Sequence, residues 1–430
     1  MKFTAVGDFL IQEPYKTPYE GFKEIKDYIA QGDFRFFNLE TTLNEEGSCY
    51  ASQHSGGSYL RVAPVALDTA KSYGFNAVTN NNNHAFDFEI NGFLNTLGCL
   101  DNSGLVHTGT GLSLPEAAKP AYIRTENGTA ALIAVSMLFS PADIAGNPSK
   151  HYPGRPGVNG IRAVEEVLVT KEQKSALKAI AEETGVNEYR DSERKAGYLP
   201  ELPDDVFEFS NIRMRIADKP GKRTIINSED SARISNTIKE AKNNADYVIV
   251  SLHNHDIAGI DEEIVPQHLI DFSHACIDNG ASAVIGHGPH LLRAIEIYRG
   301  CPIFHSLGDF VLQLNSIESA PAEFYEKHGV AIDAGIKELL RVRSNNGKRG
   351  LMYDRKMMES VIPFFEFNDG KLTRLELFPV ELGFDEDYED KMRGIPRPAK
   401  DLSFINRLAA ISEPFNTKIC CKDGKIVVEL

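Results

Sequence analysis

The chain has no apolar run near the ~20 residues needed to cross a bilayer, and no Cys-x-x-Cys pair, phosphate-binding loop or excess of positive charge. Each absence removes a class of function. The six cysteines (Cys49, Cys99, Cys276, Cys301, Cys420 and Cys421) lack metal-binding spacing and read as reduced thiols. A formal charge of −15 argues against nucleic acid or an anionic membrane as the main partner. Neither HExxH nor GxSxG occurs, which disfavours a single-zinc protease and a serine hydrolase. Gly109-Thr110-Gly111 lacks the third glycine of a dinucleotide fingerprint. Met1–Gly7 runs directly into a strand pattern, leaving no room for a signal peptide. The expectation is a cytoplasmic protein without a membrane anchor.

What is present is a repeat of one arrangement: an apolar strand, then polar residues of metal-ligand type, then a helix. Its clearest instance is Thr79–Phe88, TNNNNHAFDF, which follows the apolar Phe75, Ala77 and Val78 and precedes a helical pattern from Glu89. Asparagine tolerates left-handed backbone and bonds its own neighbours, so this run alone reads as a turn. The stretches GDF, NLE, LHNHD, GHGPH and LGDF each also follow an apolar run. Strand–helix alternation of this kind implies an α/β fold with helices over a largely parallel sheet.

At 430 residues the chain is long for one core, so one large domain with insertions, or two domains, is expected. Pro141–Gly160 is crowded with proline, glycine and asparagine. A charged helical pattern (Val164–Glu183) and a poorly periodic polar stretch to Glu229 follow, so 140–229 reads as an inserted cap. After Gln313 comes a polar, mobile stretch (Ser316–Lys356). Two apolar segments then join at Asn368-Asp369-Gly370, a hairpin signal.

Ligands of open α/β sheets gather beyond the carboxyl ends of the strands. Asp8, Glu40, Asn83, His84, His253, His287, His290 and Asp309 all fall there on this reading. The glycine before Asp8 lets the backbone turn so that a carboxylate points across the strand ends. His253 and His255 are two apart and share one face of an extended backbone. In Gly286-His287-Gly288-Pro289-His290 the glycines and proline break regular structure, so both rings can converge. Carboxylates, an amide oxygen and imidazoles suit manganese, iron or zinc, without excluding magnesium or calcium. More than four ligands suggests two divalent ions with a shared carboxylate and a bridging water.

GDF, FFNLETTL, NNNHAFDF, VSLHNHD, VIGHGPH and HSLGDF, in this order, resemble the CapA-like proteins of the calcineurin-like metallophosphatase superfamily, named for poly-γ-glutamate capsule synthesis. The resemblance covers 1–315, with 316–430 as a C-terminal extension. It implies a four-layer αββα sandwich with a binuclear metal centre at one edge. It carries over Asp8, Glu40, Asn83, His253, His287 and His290 as metal ligands, with Glu40 where a bridging aspartate is usual. His84 matches the histidine that acts beside the metals, Asp87 orients it, and His255 is a further proton carrier. Two departures stand out: His287-Gly288 replaces adjacent histidines, and Gly-Asp309-Phe replaces Gly-Asn-Phe. The activity expected is hydrolysis of a phosphoester, amide or peptide in a small-molecule or peptide substrate. The alternatives are a metal-dependent peptide epimerase and a non-catalytic capsule-assembly binding protein.

Overall fold

Tyr247–His253 reads YVIVSLH and every one of its side chains is buried, which requires cover on both faces of its sheet. In the computed structural model, which describes residues 1–137 and 140–430, this strand lies inside a six-stranded sheet. The order is Ile295–Tyr298, Cys301–Phe304, Ala283–His287, Tyr247–His253, Gly128–Ser136, Ala121–Thr125. The inner four strands are parallel and the two outer ones antiparallel to their neighbours.

A ten-stranded sheet is built about Lys2–Leu10. That strand pairs in parallel with Phe34–Leu39 and Asp309–Leu312, and antiparallel with Glu359–Asn368. Phe34–Leu39 continues in parallel to Ala77–Thr79, and that strand to Val106–Thr108. The molecule is thus a mixed α/β structure with several sheets; antiparallel strands flank the parallel centre of the six-stranded sheet on both sides and that of the ten-stranded sheet on one.

Side chains alternate along these strands, and the alternation divides the core. Phe3, Ala5, Phe34 and Phe36 join Leu132, Ile249, Ala283 and Ile285 of the six-stranded sheet in one buried cluster. Val6, Phe37, Leu39 and Val78 join a second cluster with Ile25 and Ile29 of helix Phe22–Ile29 and Ala66 and Ala70 of helix Ala66–Ser72.

Arg162–Ser231 forms a compact unit of its own. Its four-stranded sheet runs Val206–Phe209, Ile212–Ile216, Ala163–Val169, Gly221–Ile226. The charged pattern at Val164–Glu183 is not one helix. Ala163–Val169 is a strand, and the helix is Lys171–Thr184, opened by a capping box between Thr170 and Gln173. Polar residues hid the strands: Glu166 is buried because the guanidiniums of Arg213, Arg215 and Arg223 close on it.

Ser316–Lys356 is likewise structured, holding helices Ala322–Lys327 and Ile336–Arg343. The hairpin is where the sequence indicates it, between Glu359–Asn368 and Lys371–Glu381. Asp369 and Gly370 take φ of 51° and 75°, as a two-residue turn with two left-handed positions requires. Among the described residues, no helix is long and apolar enough to cross a membrane.

Candidate metal centre

Asp8 does not follow a strand end, as the sequence suggested. The strand continues to Leu10, and Asp8 sits at an irregularity where the register shifts against both parallel neighbours. Such bulges re-aim a side chain. Gly7 makes the close approach possible, since a Cβ there would lie 1.9 Å from the Gly308 carbonyl oxygen.

The other groups arrive from neighbouring strands. Glu40 directly follows Phe34–Leu39. His253 and His287 are the last residues of adjacent parallel strands and stand in register. Gly288, with φ +110° and Asn254 against its backbone, turns the chain sharply, and His290 then takes a left-handed φ of 58°. A left-handed non-glycine residue is strained, and such strain collects at functional sites.

The asparagine run divides by role. The Asn80 and Asn82 side-chain amides donate to the Leu39 carbonyl at 2.7 and 2.8 Å, fixing the turn that carries Glu40. Asn83 alone of the four reaches the imidazoles: its Oδ1 lies 2.6 Å from His253 Nε2 and 3.0 Å from His255 Nε2. His84 Nδ1 is 2.6 Å from Asp87 Oδ2. Asp87 also accepts from the Gly56 and Leu60 amides at 2.9 and 2.8 Å, so it anchors the 56–60 loop as well.

Glu40 is the centre. Its Oε1 lies 3.8 Å from His84 Nε2, 3.7 Å from His253 Nε2, 4.0 Å from His255 Nε2 and 3.9 Å from His290 Nε2. Both its oxygens are buried without a hydrogen-bond partner. The same holds for both ring nitrogens of His287 and for Asp309 Oδ2; His287 Nδ1 is 3.0 Å from Asp8 Oδ1 without hydrogen-bond geometry. Buried polar atoms are normally paired. Ligand atoms bonded at about 2.0–2.2 Å to one ion stand ~3–4 Å from each other, which is the spacing around Glu40. Two groups have their ligand atoms within 4.8 Å of one another: Glu40, His253 and His255, and Asp8, His290 and Asp309. The residues present fit divalent metal.

The protonation behaviour agrees. Burial, and then the carboxylates of Asp8, Asp309 and Asp87, push Glu40 well above the usual range. Burial would also raise Asp8, but the imidazoles of His287, His253 and His290 hold it below the ordinary value. Burial pushes Asp309 up to about 7, against the opposing pull of His290. Burial, with repulsion among neighbouring imidazoles, lowers His253 to about 3 and takes His255 well below its ordinary value. Neutral imidazoles beside carboxylates are what a cation site needs.

All ten residues singled out from the sequence, Asp309 among them, come together here. Two groups were missed or left without a role. Asn38 donates to Asp8 Oδ1 at 2.6 Å and lies 3.2 Å from His253 Nδ1, fixing both; its place in NLE was the available signal. Asp309 pairs in register with Asp8 and bonds His290 Nδ1 at 2.9 Å. Its signal was the duplication of Gly7-Asp8-Phe9 as Gly308-Asp309-Phe310.

Residues 2–314 match the family model described as Bacterial capsule synthesis protein PGA_cap. Uncharacterized protein y4sH of Sinorhizobium fredii (strain NBRC 101917 / NGR234) is 30% identical over 443 residues, spanning 99% of this chain and 92% of that one. PGA biosynthesis protein CapA of Bacillus subtilis (strain 168) is 24% identical over 382 residues, 86% of this chain and 77% of its own length. The crystal structure of a hypothetical protein from Thermus thermophilus aligns with a TM-score of 0.39 at 13% identity, covering 89% of this chain and 99% of that one.

Proposed function

The chain belongs to the bacterial capsule synthesis protein PGA_cap family, and from that premise we propose that it is a metal-dependent hydrolase of phosphoester or amide bonds with a binuclear site. We read its two large sheets as the four-layer αββα sandwich of the calcineurin-like metallophosphatases. The observation that carries the reading is the set of four imidazole nitrogens 3.7–4.0 Å from one unpartnered, buried carboxylate oxygen of Glu40.

In this reading Glu40, His253, His255 and Asn83 hold one ion, and Asp8, His287, His290 and Asp309 the other, with Glu40 close to both. When bound, divalent metal supplies Lewis acidity and a nucleophilic water at neutral pH. His84 is the acid–base group. Its Nε2 faces the site while Asp87 accepts from Nδ1–H, so the neutral ring offers Nε2 as a base and the imidazolium offers a proton there for a leaving group. Asn38 positions Asp8 and His253. The epimerase alternative needs a second base opposite His84. His255, the candidate, lies within hydrogen-bond reach of His253 and Asn83 and is better used as a ligand. By the likeness to proteins named for PGA and capsule biosynthesis, glutamyl amides join phosphoesters among the substrates to screen.

The test is metal analysis of purified protein followed by phosphoester and peptide substrates in deuterated water. Close to two equivalents of metal, with release of phosphate or amine, is the expected result. Metal-free protein after loading, or deuterium gained at an α-carbon without cleavage, overturns the reading.

A further inference from the structure

A cavity of about 510 Å³ opens over the histidines His84, His255 and His290, a size suited to a small organic substrate. Its opposite wall comes from residues after 314, beyond the stretch that matches the family. The lining contains no aspartate or glutamate, although acids outnumber lysine and arginine 61 to 46 in the chain. It does contain Arg343 and Arg349.

Neither guanidinium has a carboxylate partner among the described residues. Arg343 donates from Nη1 to Ser58 Oγ and lies 5.3 Å from the Phe324 ring centroid. Arg349 donates from Nε to the Arg343 carbonyl at 2.9 Å. Arg343 is partly buried, and arginine withdrawn from water is ordinarily paired with an anion. The positive field reaches the neighbouring ring as well: burial, together with Arg343, Lys327 and Arg349, holds His328 below its ordinary pKa. Ser58, which fixes Arg343, stands in the 56–60 loop that Asp87 anchors, so the guanidinium and His84 are referenced to the same carboxylate.

We propose that Arg343, with Arg349 beside it, binds an anionic group of the substrate, phosphate or carboxylate, while the reacting bond lies against the Glu40–histidine cluster. A planar fork of donors suits either oxyanion. The proposal rests on the hydrolase reading only for the position of the reacting bond; anion capture is separable from it. Residues outside the family match would then set substrate choice, and relatives that differ after 314 would choose differently.

The experiment is calorimetric titration of the metal-stripped full chain with inorganic phosphate and, separately, with glutarate. The wild type and an Arg299→Met control, altered at a surface pair with Asp278, should bind at least one anion equally well. Arg343→Met should weaken that binding at least ~10-fold, with Arg343→Lys intermediate. Arg349→Met, at an exposed position, serves should Arg343→Met fail to fold, and should also weaken binding. Tighter phosphate points to phosphoester substrates and tighter glutarate to carboxylated amides. Absence of binding by wild type, or unchanged affinity in the Arg343 and Arg349 variants, overturns the proposal. Because metal is absent throughout, a failed hydrolase assay leaves this result standing.

Discussion

Asp8 and Asp309 are register partners on adjacent parallel strands, and each follows a glycine: Gly7 leaves room for the Gly308 carbonyl, and Gly308 itself takes a left-handed φ of 68°. A methyl group at Gly7 would meet the Gly308 carbonyl oxygen at 1.9 Å, and backbone cannot swing aside as a flexible side chain can. Gly7→Ala should therefore cost about 3 kcal/mol, the upper part of the usual range for overpacking. Denaturant unfolding measures it, and metal content should fall with it. An unchanged midpoint would refute the stated role of Gly7.

Glu40→Gln should act in opposite directions with and without metal. Without metal, Glu40 is a buried carboxylate pushed up by burial and by Asp8, Asp309 and Asp87, so its amide analogue should melt above the metal-free wild type. Free metal at ~100 times its Kd stabilises a binding protein by about 2.7 kcal/mol. Wild type should show that rise on adding manganese or zinc, and Glu40→Gln should lose most of it. Equal responses in thermal melts would remove Glu40 from the ligand set.

His84→Ala should retain its metal and lose turnover by ~10²–10⁴-fold, the usual contribution of a placed acid or base. Asp87→Asn should lower kcat too, since it removes the carboxylate 2.6 Å from His84 Nδ1. Metal loss in His84→Ala would transfer that residue to the ligand shell.

In the Arg162–Ser231 unit, hydrogen bonds from Arg215 lead in lowering Glu166 to about 2, against burial and with help from Arg213 and Arg223. A carboxylate lowered on folding contributes stability that is whole above its unfolded value of 4.5 and is lost as pH falls towards 2. Hydrogen exchange in the full chain should show Ala163–Val169 and Ile212–Ile216 losing protection across that window. Glu166→Gln should cost about 3 kcal/mol at neutral pH, the lower end for a broken buried pair because the guanidiniums left behind reach solvent. Protection that does not change between pH 5 and 3 would contradict this.

The strand–helix rhythm and the ligand types after each strand were legible because buried parallel strands are apolar throughout and metal chemistry uses few residue types. Glu166 illustrates what was not legible. A glutamate in a strand reads as solvent-facing until three arginines from two other strands are known to meet it. Arg343 is hidden for a related reason: nothing local to a polar helix end says that a cavity faces it. Asp8 was assigned to a loop because a bulge leaves no mark in an apolar strand beyond the glycine that permits it.

Lys2–Thr4 pair with Phe364–Glu366, and that pairing has a consequence for biosynthesis. On the ribosome, the strand at the heart of the larger sheet waits for a partner made more than 300 residues later, tens of seconds at about 5–20 residues per second. Until then part of its hydrogen-bonding edge is open to other nascent chains. Expression of the first 314 residues alone would make that interval permanent, and inclusion bodies are the expected product.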